Sequence, residues 1–262
     1  MPEEIPILSH KHYTCPTLFE PSALIREARR QKSLVSCDVP AICVLDPDGD
    51  LSRHLQASGA KRNEGWACYH SEMYDLELES TTIGVIGCAV GASYAVLVAE
   101  QLFVSGCELL ISVTSSGQLV EVSDPPYFIL IDKALRDEGT SYHYLPSSAY
   151  AFRPSVLDAL ADSILAKAGH VIRGGTWTTD APYRETAEAI AHAKSLNLLA
   201  VEMEAAALYA FAQARGKNVI CFAHVTNRMA VIENDFEKGD NAGNTAMLHL
   251  LRIIDQEWKK SK

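Results

Sequence analysis

Short apolar runs alternate with helical stretches along nearly the whole chain, and this alternation limits the fold more than any other feature. Residues 41–45, 83–89, 109–113, 127–131, 198–201 and 218–225 read as strands. Residues 93–104, 155–167, 185–196, 205–215 and about 242–258 have helical spacing, with Ser155 offering a cap. Residues 66–78 alternate partially and are expected to pair with 83–89 across a reversal at Glu79-Ser80-Thr81. Strands and helices in turn predict one α/β domain over 41–262, with helices on both faces of a central sheet. Residues 1–40 are a polar arm, punctuated by five prolines, with a short basic helix (Arg26, Arg29, Arg30, Lys32) read as a solvated face. Small residues follow two of the strands (Gly87, Gly91 and Ala92; then Thr114-Ser115-Ser116-Gly117). Such loops are where open α/β sheets place ligands.

The 262 residues carry 33 acids against 23 bases, a formal charge of −10. That balance supplies no broad basic field, so nucleic acid is not an expected partner. The seven cysteines are odd in number and contain no C-x-x-C pair, which argues against a disulfide framework or a zinc site and for a reducing cytoplasm. Acids stand at Glu3 and Glu4, where a signal peptide would carry bases, and Glu100 interrupts the most apolar stretch. A soluble cytoplasmic protein, with no membrane partner, is expected.

From Leu198 to Ala212 an apolar strand runs into an almost wholly apolar helix, with Glu202 and Glu204 at the junction. Two carboxylates in such surroundings need partners. At a helix N-terminus the dipole and free N–H groups are expected to keep Glu204 ionised, able to accept from a vicinal diol such as a ribose. Simple helix capping is an equal reading of the same residues.

Val201-Glu202-Met203-Glu204-Ala205-Ala206-Ala207-Leu208-Tyr209 resembles the signature of the nucleoside phosphorylase-I family, which includes purine nucleoside and uridine phosphorylases and methylthioadenosine/adenosylhomocysteine nucleosidases. The segments from Gly84 to Ser93 and from Ile111 to Gly117 resemble that family's strand–glycine-loop–helix and its following small-residue loop, and Gly174 to Tyr183 resembles the segment flanking the base. The resemblance covers about residues 40–255. It implies a three-layer α/β/α sandwich with a central mixed, partly barrel-like sheet, and cleavage of a nucleoside N-glycosidic bond through a ribosyl cation-like transition state. Carried over, Glu204 holds ribose hydroxyls, Met203 lies against the sugar and Ser115 lies beside both. A carboxylate near C2′ also favours the positive charge developing on the sugar.

On the base side the resemblance points to Glu202, Trp177, Tyr183, Arg184 and Asn227. Purine enzymes of the family have Ser-Asp after the last core strand; here Thr226-Asn227-Arg228 stands there, as in uridine phosphorylases. An amide donates a hydrogen bond but delivers no proton, so Asn227 and Arg228 are catalytic candidates without a general acid. For the nucleophile, the family's phosphate-binding arginines are replaced by the acidic turn Asp46-Pro47-Asp48-Gly49-Asp50 and by Ser112. An acidic turn repels phosphate. Arg53, Ser115 and the Gly91-Ala92 amides are the substitutes. The expected reaction is phosphorolysis to free base and ribose 1-phosphate, with inorganic phosphate as co-substrate and no metal or organic cofactor. Phosphate-independent hydrolysis and a non-catalytic nucleoside-binding protein are the alternatives. A dinucleotide site is disfavoured, because Gly84, Gly87 and Gly91 lack G-x-G-x-x-G spacing. A homo-oligomer (dimer, trimer or hexamer) is implied, with His70 and His10 as cross-subunit candidates.

Overall fold

The fold comes from a computed structural model that describes residues 4–35, 37–79, 81–229 and 235–261. Among the described residues nine strands form one mixed sheet: β1 Ile42–Asp46, β2 Tyr74–Glu77, β3 Thr82–Gly87, β4 Leu109–Gln118, β5 Tyr127–Asp137, β6 Tyr150–Phe152, β7 Val171–Thr179, β8 Leu198–Glu202 and β9 Asn218–Asn227. The order runs β2-β3-β1-β4-β8-β7-β5-β6, and β9 pairs with both β4 and β5. Strands β4, β8, β7, β5 and β9 thereby close a ring. β9 is parallel to β4 and antiparallel to β5.

The helices are α1 Pro21–Lys32, α2 Asp50–Ala57, α3 Ala92–Phe103, α4 Asp158–Lys167, α5 Ala187–Ser195, α6 Ala205–Arg215 and α7 Asn244–Ser261. One core lies between the sheet and α3 and α6; a second joins the opposite face to α2, α4 and α7. This is the three-layer α/β sandwich with a central mixed sheet. Every residue from Ala205 to Ala212 is buried, so α6 has no solvated face before its last turn. Alanine, the strongest helix former, lets it pack close to the sheet on all sides. Gly216, at φ 61°, then ends it in the left-handed conformation. Among the described residues no helix is long and apolar enough to cross a membrane.

Several boundaries differ from the sequence expectation. Thr114 to Gly117 continue β4 instead of forming a loop, because β9 pairs with them residue by residue up to Ser116↔Val225. Only Tyr74–Glu77 of the stretch 66–78 is strand; Trp66 is held in a buried loop by its Nε1–H to Ser71 Oγ. Ser80 of the expected reversal lies outside the described residues. Helix α2 was not anticipated in a polar stretch, although Leu51 and Leu55 share a face and are both buried. The three-residue β6 was likewise unforeseen. Ser155 opens a 3-10 turn, and Leu157 holds the N-cap position of α4 without a side-chain bond.

Candidate active site

The junction of β8 and α6 assigns its two carboxylates different tasks. Glu202 Oε2 accepts from the amides of Glu204 and Ala205, both at 2.7 Å, so Glu202 takes the free donors at the helix N-terminus. Its Oε1 accepts from Thr176 Oγ1 at 3.0 Å and from Thr178 Oγ1. Burial pushes the Glu202 carboxyl up, against these four donors. Glu204 is 1% exposed; Oε1 accepts from the Gly91 amide at 2.7 Å, while Oε2 has no hydrogen-bond partner. Burial first, and the neighbouring Glu202 second, raise the Glu204 carboxyl to about 8. The helix amides expected to hold Glu204 ionised go to Glu202, and burial raises the Glu204 carboxyl instead of lowering it.

Beside this junction a cavity of about 490 Å³ opens where the ends of β4, β8 and β9 meet. Its apolar wall is Val201, Met203, Met229 and Phe236; Pro182, Tyr183 and Glu185 form one rim. Burial raises the Glu185 carboxyl above its ordinary value. Asn227 Oδ1 accepts from the Met229 amide at 2.9 Å, and its Nδ2 donates to Thr226 Oγ1 at 3.2 Å. Asp48, Ser115 and Lys238 also line the cavity. Ser115 Oγ donates to Asp48 Oδ2, and Lys238 Nζ lies 3.2 Å from the same oxygen while also pairing with Asp50. Arg53 donates to Asp50 Oδ1 at 2.7 Å and to the Asp48 carbonyl at 2.8 Å. The acidic turn therefore carries two cations. Under it, His224 stacks on Phe128 at 4.4 Å between ring centres, and burial lowers its pKa to about 4.

A family model described as the phosphorylase superfamily matches residues 41–255. The chain belongs to the phosphorylase superfamily. Its nucleoside phosphorylase-I resemblance is therefore shown at the level of family. A guanosine phosphorylase of Halorubrum lacusprofundi is 30% identical over 144 residues, 53% of this chain and 58% of that protein. The match thus spans little more than half of the relative's length. Uridine phosphorylase from Vibrio fischeri superposes with a TM-score of 0.70 at 19% identity, covering 85% of this chain and 95% of that one. AMP nucleosidase from Bacteroides thetaiotaomicron superposes with a TM-score of 0.67 at 19% identity, covering 90% of this chain and 97% of that one.

Of the residues singled out from the superfamily resemblance, Glu202, Met203, Ser115, Tyr183 and Asn227 line the one cavity. Tyr183 is almost fully exposed at its rim. Glu204 and Gly91 meet each other behind the wall, and Ala92 is buried as the first residue of α3. Trp177 does not reach the cavity: its Nε1–H donates to Asp137 Oδ2 at 2.9 Å, and its ring packs with Leu119, Leu198 and Val201. Arg184 is exposed. Arg228 turns away to Asp124 and gives its backbone amide to Asp235. Arg53 is spent on the Asp48–Asp50 turn. His70 lines a separate cavity of about 370 Å³ with Lys32 and Arg62, and His10 is exposed beside Glu4. Sequence reasoning missed Lys238, which stands 190 residues from Asp48 with no spacing to announce it, and Glu185, one residue past the Tyr183-Arg184 pair.

Proposed function

We propose that the protein is an enzyme that cleaves the N-glycosidic bond of a nucleoside in this cavity. The observation that carries the reading is the union, in one cavity, of an apolar wall with the carboxylates Glu185 and Asp48 and with Lys238. Met203 and Met229 give a base or sugar an apolar surface, and Glu185 is the lining carboxylate that a base would meet. A carboxylate in apolar surroundings accepts best from adjacent N–H donors, so Glu185 favours a base with such an edge, as in guanine. The Halorubrum relative named guanosine phosphorylase agrees with that choice. Glu204 Oε2, buried and without a donor, is the group a ribose hydroxyl would satisfy once Met203 or the Gly91 turn yields. Asn227 faces the leaving base as a hydrogen-bond donor or acceptor only.

Phosphorolysis to base and ribose 1-phosphate is the reaction expected from the resemblance, and two relatives carry it in their names while a third is named a nucleosidase. A homo-oligomeric, cytoplasmic enzyme belongs to the same proposal. Free base is followed after incubation with purine and pyrimidine nucleosides, with and without phosphate. Release from oxopurine nucleosides ahead of adenosine is the expected result. No release from any nucleoside, together with Glu204-dependent binding of one, would replace the enzyme by a nucleoside-binding protein.

A further inference from the structure

We infer that Met229 sets the size of the base this cavity admits, its thioether closing the cavity at Gly117. This rests on reading the cavity as a nucleoside-cleaving site. Met229 has φ 65°, a left-handed backbone that a residue with a side chain holds only where its surroundings impose it. Anchors on three consecutive residues do so. Asn227 Nδ2 donates to Thr226 Oγ1 at 3.2 Å and to the Ser116 carbonyl at 3.4 Å, which turns its Oδ1 toward the Met229 amide, 2.9 Å away. Between them, the Arg228 amide donates to Asp235 Oδ2 at 2.8 Å and its guanidinium pairs with Asp124.

The turn aims the side chain at the end of β4. There the β4–β9 register shifts between Ser116 and Gly117, and Gly117 pairs with Asn227 on one side and with Val201 of β8 on the other. A Cβ on Gly117 would overlap the Met229 sulfur and lie 3.5 Å from Val201 Cγ1, so the missing side chain makes the seat of the thioether. Met229 lines the cavity and also packs against the cluster of Leu119, Trp177, Leu198 and Val201. It therefore stands between the two, and its removal would lengthen the cavity toward that cluster. An unbranched, polarizable thioether fits closely against a planar base. A base with a bulky substituent on the edge toward Gly117 would have to displace it, against the anchors that hold the turn.

The test uses NMR of protein with isotope-labelled methionine methyl groups, of which the chain has five. Met229→Leu identifies the Met229 signal by its loss. Without ligand, Gly117→Ala should shift that signal and leave those of Met73 and Met247, buried in the two main cores, in place. Guanosine should shift the Met229 signal of the wild-type protein. In turnover, wild type should reject guanosines carrying a benzyl group at N2, O6 or C8. Met229→Ala should accept at least one of them with kcat/KM raised about 10-fold or more, while losing about 10-fold on guanosine itself. Gly117→Ala, which pushes the thioether into the cavity, should raise KM for guanosine about 10-fold, and Gly117→Ala/Met229→Ala should return it to the value of Met229→Ala. A Met229 signal unmoved by Gly117→Ala, guanosine that shifts the Met203 signal but not that of Met229, or no benzyl guanosine gained by Met229→Ala overturns the inference and leaves the nucleoside reading standing. If no nucleoside shifts a methyl signal or releases base from any of these proteins, that reading is overturned, and the role in base size with it.

Discussion

Glu204→Gln is expected to leave the protein no more stable than wild type at pH 5 and clearly more stable at pH 8. The Glu204 carboxyl has the Gly91 amide on Oε1 and nothing on Oε2, with Glu202 close by. Burial, then the Glu202 charge, lift it from 4.5 to about 8. Between those values the folded chain keeps a proton that the unfolded chain releases. The contribution is therefore complete below the unfolded value and is lost as pH rises through the folded one. At about 1.4 kcal/mol per unit, this carboxyl withdraws roughly 3 kcal/mol of stability between pH 5 and pH 8. Glutamine matches the protonated acid in shape, keeps an oxygen for the Gly91 amide and does not titrate. Urea unfolding of both proteins across that range isolates the group. Asp46, raised to about 6 by burial, and His224, lowered to about 4 by burial, titrate in both proteins and cancel. A stability difference that stays flat with pH would mean that Glu204 is ionised in the folded chain, and the argument would fail.

Three further perturbations probe other parts of the same frame. Glu185→Gln should lower kcat/KM for nucleosides whose base offers adjacent N–H donors by about 10- to 100-fold, with adenosine little changed; equal losses on both would remove Glu185 from base selection. Gly243 has φ +81°, and a Cβ there would lie 2.7 Å from His224 Cε1 and 2.9 Å from the Lys238 carbonyl. Gly243→Ala should therefore cost roughly 2 kcal/mol in urea unfolding and disturb the position of Lys238, and an unchanged midpoint would contradict the contact. The buried Tyr209 hydroxyl donates to the Ile131 carbonyl and accepts from the Cys221 amide at 3.1 Å. Tyr209→Phe leaves both unpaired and should destabilise by roughly 1–3 kcal/mol; a wild-type melting temperature would show that neither bond matters.

The layers of this fold were legible because each element announces itself locally. Residues 205–215 read as a helix from composition and form one, and β4, β5, β8 and β9 begin where their apolar runs begin. What could not be read is set by distance in sequence. Thr114 to Gly117 look like a loop until β9, more than a hundred residues on, is known to pair with them. The acidic turn looked bare of cations because Lys238 reaches it only through the folded chain. Trp177 has the chemistry of a base-stacking residue, but one hydrogen bond to Asp137 fixes it in the core. The Glu202–Glu204 pair was located correctly from its neighbours, while the division of labour within it depended on Thr176, Thr178 and Gly91, which meet it only in three dimensions.

The ring of strands has a consequence for synthesis. β9 comes last in sequence among the described strands, yet it stands between β4 and β5 and pairs along most of its length with β4. Until it emerges, β4 lacks its longest partner and the ring stays open, with buried edges of β4 and β5 exposed to other chains. Asp48, Glu202 and Lys238 come together only after that closure. A chain lacking β9 would hold most of the named residues and no site, so the cavity depends on β9 joining the ring.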